Sequence, residues 1–252
     1  MAEHSFHTPL PLTLEVAIPA GDIDVETVDG EESTIVVEGD ERAVEDTRVS
    51  HDGDRILVEY RSRKPFGLTV QIGSFVWGHE GLRVRARVPH GAAAKISSAS
   101  ADLAIDGRVR SLDVKTSSGD LRLRGEVEES ANVKSVSGDV ELDRVGADLS
   151  VNTVSGDVRA GAVGGSSEIR SVSGDIRLES VREGRASFTS VSGDVEVGIA
   201  QGSFLDVDAG STSGDLSSEV PLASDPGGDG DGPTVVVRGK TISGDFRVFR
   251  GA

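Results

Sequence analysis

The sequence predicts an all-β protein, a right-handed parallel β-helix in which coils of about 18 residues stack on one another. A Ser-Gly-Asp triplet recurs seven times along the chain. Hydrophobic and polar residues alternate every second position around each triplet, which is typical of strands with one buried face. Only 4% of the 252 residues are aromatic, so the strand-forming residues valine and isoleucine must fill the core.

The triplets recur at a nearly constant period. The seven copies are Ser118-Gly119-Asp120, Ser137-Gly138-Asp139, Ser155-Gly156-Asp157, Ser173-Gly174-Asp175, Ser192-Gly193-Asp194, Ser213-Gly214-Asp215 and Ser243-Gly244-Asp245. Successive serines are 19, 18, 18, 19, 21 and 30 residues apart, and a degenerate copy, Ser100-Ala101-Asp102, lies 18 residues before the first. One repeat is too short to bury a core by itself, so the copies must stack, and the period predicts a solenoid.

Aligning the copies places hydrophobic residues in three columns, which should line the interior of the stack. Before the triplet the column is Val114, Val133, Val151, Ile169 and Phe188; directly after the aspartate it is Leu121, Val140, Val158, Ile176 and Val195; two residues later it is Leu123, Leu142, Ala160, Leu178 and Val197. The two-residue alternation and the β-branched content exclude a helical repeat.

The triplet itself fits a corner of the coil. Glycine adopts positive φ without steric cost, and serine and aspartate side chains hydrogen-bond to neighbouring backbone amides. The inward-facing Ser135, Ser171 and Ser190 are expected to form hydroxyl ladders between coils. The alternative, that the triplets bind calcium, is disfavoured because the calcium-binding β-roll uses a nine-residue repeat.

The chain divides into two regions. Residues 95–252 should form the β-helix, and residues 1–94, which lack the triplet, should form a β-rich N-terminal cap or irregular first coils. Residues 224–233 are rich in Asp, Gly and Pro and should loop out; a solvated flexible loop is favoured over a cation site. Beyond this loop, Val235–Val237 and Phe246–Phe249 resemble the final coil and its lid.

Two groups of aromatic residues are candidate interfaces. Phe66, Phe75 and Trp77 belong to the most apolar stretch of the chain, which is either a hairpin packed on the cap or an exposed patch for a partner, another subunit or a membrane surface. Phe246 and Phe249 lie near the C-terminus, where an end face is either sealed or presented for stacking.

The charge excludes one class of partner. With 43 acidic and 26 basic residues the net charge is −17, which argues against a nucleic-acid surface because phosphate neutralisation needs concentrated Lys and Arg. Five of the basic residues are lysines, and this arginine-rich, strongly acidic composition favours a halophilic source over an ordinary acidic protein. Cysteine is absent, so disulfides and thiolate metal sites are not available.

The residues that carry enzyme chemistry do not form a recognisable pattern. All five histidines precede the triplets and lack metal-site spacing, and no nucleophile elbow, P-loop or dinucleotide fingerprint is present. The aspartates of the triplets should stack about 4.8 Å apart, but an identical residue on every coil indicates a structural column rather than a catalytic pair. The sequence therefore predicts no catalytic, cofactor-binding or metal-binding residues, and the protein is not expected to be an enzyme.

The motif S-x-S-G-D-[VIL]-x-[LVA] resembles that of bacterial and archaeal β-strand-repeat proteins known as adhesins of unknown function. The resemblance extends from Lys95 to the C-terminus, with weaker agreement before it. Roles suggested for that family range from cell-surface adhesion to envelope-stress sensing. The coil length and hydrophobic columns are also similar to bactofilins, and the acidic composition to their haloarchaeal relatives, the halofilins, which influence cell shape. Bactofilins lack the long β-rich leader and the regular triplet.

This second resemblance implies a self-associating cytoskeletal scaffold, a homo-oligomer or polymer stacked through solenoid end faces. The N-terminal residues lack the features of a signal peptide, which favours a cytoplasmic location. For the scaffold, a membrane-proximal position in the cytoplasm stays open. The alternative is a cell-envelope adhesin or ligand-binding module without catalysis, whose partner would be an envelope or membrane-associated protein.

Overall fold

The computed structural model describes residues 1–61, 81–220 and 232–251, and confirms the predicted all-β parallel solenoid. Parallel coils form most of the stack, and antiparallel strands close its N-terminal end. Within the described residues there are twenty-one strands and one short helix.

In chain order, the elements are β1 (Ala2–His7), β2 (Thr13–Val28), β3 (Glu32–Glu38), α1 (Glu41–Asp46), β4 (Thr47–Asp52), β5 (Arg55–Tyr60), β6 (Arg83–Pro89), β7 (Ala93–Val109), β8 (Leu112–Lys115), β9 (Leu121–Val127), β10 (Ala131–Lys134), β11 (Val140–Val145), β12 (Leu149–Asn152), β13 (Val158–Val163), β14 (Ser167–Arg170), β15 (Ile176–Val181), β16 (Gly184–Thr189), β17 (Val195–Ile199), β18 (Phe204–Ser213), β19 (Leu216–Ser218), β20 (Thr234–Ser243) and β21 (Phe246–Arg250).

Each regular coil contributes one strand to each of two faces. The strands before the triplets, such as β8, β10, β12, β14 and β16, pair in parallel on what we call the A face. The strands after the triplets, β9, β11, β13, β15 and β17, pair in parallel on the B face. In this register Val133 lies beside Val151 on the neighbouring strand, and Val140 lies beside Val158. The predicted hydrophobic columns are therefore confirmed.

The columns form the core between the two faces. Val133, Val151, Val158 and Ile169 are completely buried, as are their counterparts in neighbouring coils. Each buried valine or isoleucine side chain contributes about 1.5–3 kcal/mol relative to an exposed one. Since every coil repeats the same inward positions, the core is continuous along the stack rather than divided into separate clusters.

At the N-terminal end the order in space differs from the order in sequence. β2 pairs in parallel with β7 on one side and with β5 and β6 on the other, so it lies inside the stack. Beyond β5 and β6 the pairing becomes antiparallel: β4 covers β5, β3 covers β6, and β1 covers β3. These antiparallel strands terminate the parallel stack.

The C-terminal end shows the same rearrangement. The coil formed by β20 and β21 pairs with β16 and β17 on one side and with β18 and β19 on the other. The expectation that this coil is the last in the stack is therefore wrong; β18 and β19 are outermost. The 30-residue interval between the last two triplet serines lets the chain return one coil towards the middle before it resumes the repeat.

Phe246, expected at an end face, lies instead inside the stack. Its side chain is completely buried, and its ring meets that of Phe188 edge-on at 6.1 Å between centroids. Gly239 makes room for it, because a Cβ there would lie 2.2 Å from Cε2 of Phe246. Phe246 therefore packs the core and offers no surface to a partner.

Candidate functional site

The Ser-Gly-Asp triplets lie at the corner where each coil passes from the A face to the B face. Their aspartates form a ladder: one carboxylate oxygen of each accepts the backbone N–H of the aspartate in the next coil, at 2.8–3.0 Å. The ladder runs from Asp102 through Asp194 to Asp245 and then Asp215, in the order of the stack rather than of the sequence. These carboxylates therefore hold neighbouring coils together.

The glycine of the triplet is required on two grounds. At Gly156 φ is +117°, a conformation that L side chains rarely adopt, and a Cβ would lie 2.3 Å from the carbonyl oxygen of Gly138 in the neighbouring coil. Gly138, Gly174 and Gly193 repeat both features. The corners of successive coils can stack this closely only without a side chain at this position.

The hydroxyl groups before the triplets behave differently from the sequence expectation. Ser135, Ser171 and Ser190 each donate to the carbonyl oxygen two residues ahead in their own coil, at 3.1–3.3 Å. They do not form the expected ladders between coils. The reason is that the sharp turn at the glycine brings the carbonyl oxygen two residues ahead within hydrogen-bonding distance. Each hydroxyl therefore hydrogen-bonds within its own coil.

One outward position of the corner is hydrophobic on five consecutive coils. Stacked pairing of the triplet serines aligns the residues that precede them, and these aliphatic side chains are 42–55% exposed. We call this column the aliphatic ridge; its members are Val136, Val154, Val172, Val191 and Ile242. The polar residues Ser117 and Thr212 occupy the equivalent positions at its two ends.

A basic column runs beside the ridge on the A face. Two residues before the ridge positions lie Lys134, Arg170 and Lys240, all exposed, which alternate along the stack with the uncharged Asn152 and Thr189; Lys115 occupies the equivalent position beside Ser117, at the end of the ridge. Within the part of the chain that the structure describes, the three lysines make no ion pair, whereas Arg170 pairs with Glu168. The ridge thus has lysines on one side and, three residues after it, the aspartate ladder on the other.

The A face also carries a shallow groove of about 690 Å³ that crosses four coils. It is lined mainly by small polar side chains: Ser130, Asn132, Asp148, Ser150, Ser166, Ser167, Glu168, Arg185 and Ser187, with Ala131 and Leu149 at its floor. Among the described residues, the side chains of Asn132, Ser150 and Ser187 make no hydrogen bond to the protein. They are free to bind a ligand.

The outer surface of the B face is dominated by ion pairs. Arg177 contacts Glu179 and Glu196, and Arg247 contacts Glu196 and Glu219. The hydrogen bond to Glu179, with further attraction from Glu196, raises the pKa of Arg177. The Arg177 guanidinium also lies 5.4 Å from the ring centroid of Phe249, which is half-buried on this face rather than at an end of the stack. Every charge in this network is partly neutralised, so the network is suited to surface packing rather than catalysis.

The structure also brings together a Thr-His-Asp arrangement that could not be predicted from the sequence, because the histidine lies 63 residues from the threonine in the chain. Nδ1 of His90 lies 2.6 Å from Oγ1 of Thr27, and Nε2 lies 3.6 Å from the Asp29 carboxylate. A nucleophile must be accessible, but Thr27 is 6% exposed and its hydroxyl accepts the N–H of Arg108. This cluster therefore fastens β2 to the loop before β7 rather than forming a catalytic triad.

The remaining predicted positions are distributed as follows. Phe66, Phe75 and Trp77, and most of the predicted loop 224–233, lie outside the described residues. Within the described ranges, no group of three metal-binding side chains comes together. The single helix within the described ranges, α1, is six residues long, too short to cross a membrane.

A family model for Toastrack DUF4097 matches residues 13–249, almost the entire chain. The chain belongs to this family. The match begins at β2 and ends in β21, so it includes both ends at which coil order and chain order differ. No curated protein matches the sequence.

Solved structures show the same fold at low sequence identity. A "putative lipid binding protein" from Parabacteroides distasonis superposes with a TM-score of 0.57 at 12% identity, covering 98% of this chain and 96% of that one. A "putative adhesin" from Bacteroides fragilis gives 0.55 at 14% identity, and another from Parabacteroides distasonis gives 0.53 at 13%, with the same coverage. At this identity the likeness establishes the fold alone.

Proposed function

We propose that this toastrack protein is a binding module without catalysis, of the adhesin type, and that it holds an extended polar ligand such as a glycan strand in the A-face groove. The observation that carries this is the groove lined by side chains with free hydrogen-bonding groups, including those of Asn132, Ser150 and Ser187. Hydroxyl, amide and carboxylate groups in one shallow trough match the alternating donors and acceptors of a saccharide chain.

The rigidity of the groove and the descriptions of similar solved structures support this proposal. The groove crosses strands β10, β12, β14 and β16, whose spacing is fixed by backbone pairing, so the free side chains are presented on a rigid surface. Of the similar solved structures, two carry the description "putative adhesin" and one "putative lipid binding protein". A binding role requires neither an activated nucleophile nor a metal.

The test is binding of the intact protein to an array of immobilised neutral and acidic oligosaccharides, followed by titration with the best-bound one. Asn132→Ala combined with Ser150→Ala should weaken that binding at least tenfold, because two ligand-facing groups are lost. Thr189→Ala, an exposed A-face change outside the groove lining, serves as the matched control. Failure to bind any saccharide, or equal binding by both variants, would contradict the proposal.

A second candidate, the self-associating scaffold, is favoured by the C-terminal edge of the stack. Among the described strands, β18 pairs only with β20 and β19 only with β21, which leaves a strand edge on both faces. Asp206 and Asp208 lie on this edge and share one cation, Arg238, so a net negative charge remains and opposes edge-to-edge pairing at low salt. Negative-stain microscopy across molar KCl should show filaments or end-to-end stacks if this edge assembles, and no end-to-end stacks at any salt concentration if it does not.

A further inference from the structure

We propose that two copies of this chain pair side by side along the aliphatic ridge, with their solenoid axes parallel and their coils in register. The pairing requires neither a ligand in the A-face groove nor stacking of the end edges. It gives the protein a second interaction surface, at the corner that carries the triplets.

The ridge is a line of hydrophobic side chains that nothing in the described structure covers. Five consecutive coils place a valine or isoleucine at the same outward position, each 42–55% exposed, whereas the serine or threonine directly before each of them points inward and is buried. Scattered exposed aliphatic residues need no explanation, but an unbroken row across neighbouring strands is a contiguous apolar surface.

The spacing of the ridge identifies a second copy as the occupant. Neighbouring coils are about 4.8 Å apart, so the five side chains extend over about 19 Å. An extended peptide laid along the ridge would present same-side residues about 6.6–7 Å apart and would lose register after one or two contacts. A second solenoid repeats at the same 4.8 Å, and its own ridge matches at every coil.

The flanking charges select the parallel orientation. Lys134, Arg170 and Lys240, on alternate ridge coils, lie on one side of the ridge, and the aspartate ladder lies on the other. Rotation about a two-fold axis parallel to the solenoid places each lysine column opposite the aspartate ladder of the other copy. Antiparallel pairing would instead place lysines opposite lysines and aspartates opposite aspartates. An isologous parallel contact is therefore self-complementary in both shape and charge.

The net charge sets the conditions for pairing. Two copies of charge −17 repel each other over the Debye length, which shortens from about 10 Å at 0.1 M salt to about 3 Å at 1 M. A ridge of five side chains is also smaller than the interface of a tight dimer. The pair should therefore be weak at low ionic strength and should strengthen as KCl is added.

Because the chain has no cysteine, single cysteines report the geometry directly. In a parallel in-register pair each ridge residue faces its own copy, so Val136→Cys and Val172→Cys should both form intermolecular disulfides in molar KCl under mild oxidation. Arg124→Cys, exposed on the B face, is the control. Crosslinking of Val172→Cys alone indicates antiparallel pairing and overturns the parallel pair; yields no higher than that of the control overturn the ridge interface.

The charge variant Val172→Asp tests the same interface in the otherwise native protein. It should weaken dimerisation at least tenfold by sedimentation equilibrium, since it places two carboxylates at the centre of the contact. Ser150→Asp adds the same charge within the groove and should leave dimerisation unchanged. Circular dichroism verifies that both variants fold. Equal dimerisation of Val172→Asp and the wild type would overturn the proposal.

Discussion

Asp139 and Gly156 show how single residues of the triplet act across coils. The Asp139 carboxylate accepts the N–H of Asp157, and Gly156 stacks on the carbonyl of Gly138. The sequence predicts a turn at both residue types, because glycine adopts positive φ and aspartate hydrogen-bonds to backbone amides nearby in the chain. The ladder between coils could not be predicted from one repeat, because it depends on the distance between adjacent corners.

Replacing Asp139 by alanine should lower the free energy of unfolding by about 1 kcal/mol, because the N–H of Asp157 loses its protein acceptor while water remains available to it. Asn at this position keeps an acceptor oxygen and should cost less. Urea unfolding measures the difference, with Asp106→Ala, an exposed aspartate outside the ladder, as control. Equal stability of the Asp139 and Asp106 variants would contradict the ladder.

Gly156→Ala should be more damaging, by about 3 kcal/mol or more, since it combines positive φ with a Cβ 2.3 Å from a backbone oxygen. Gly202→Ala is the matched comparison: φ there is +81°, but a Cβ would meet nothing within 4 Å. It should cost only about 1 kcal/mol. Thermal unfolding of both variants separates the cost of φ from that of the clash; similar losses would refute close stacking at the corner.

At the scale of strands, the regular repeat made β8 to β17 predictable, because the triplet interval fixes their register and alternation fixes their inward face. The strands of the last two coils were recognised, but their spatial order was not. The interval of 30 residues indicated an insertion without indicating where the chain returns. Phe246 was expected at an end face because it lies near the C-terminus. Its position directly after the aspartate of a triplet, however, matches the inward column that Val195 occupies.

Gly239 in β20 has no side chain, and the ring of Phe246 in β21 occupies the space that a side chain there would need. Gly239→Ala should destabilise the protein by about 2–3 kcal/mol, because the new methyl group would overlap the Phe246 ring. Adding Phe246→Val, which restores the residue type of the neighbouring Val195, should recover part of that loss. Chemical denaturation of the two single variants and the double variant gives the coupling; strictly additive effects would show that the two side chains do not compete for space.

For the whole molecule, both ends of the stack follow one plan. β2 at the N-terminal end and the coil of β20 and β21 at the C-terminal end each lie one coil inside the parallel part of the stack, with neighbours on both sides. Strands near both ends of the chain are thereby held between other strands, which opposes fraying. Sequence reasoning identified the stack but not the binding surfaces, since the groove and the ridge emerge only when equivalent outward positions are aligned across coils.

Hydrogen–deuterium exchange of the backbone amides, followed by mass spectrometry, tests this arrangement most directly. We expect peptides of β20 to exchange as slowly as those of β12, because both have paired neighbours on each side, and peptides of β18 to exchange faster, because β18 pairs only with β20 among the described strands. Rapid exchange of β20 together with strong protection of β18 would place the coils in simple chain order and contradict the account.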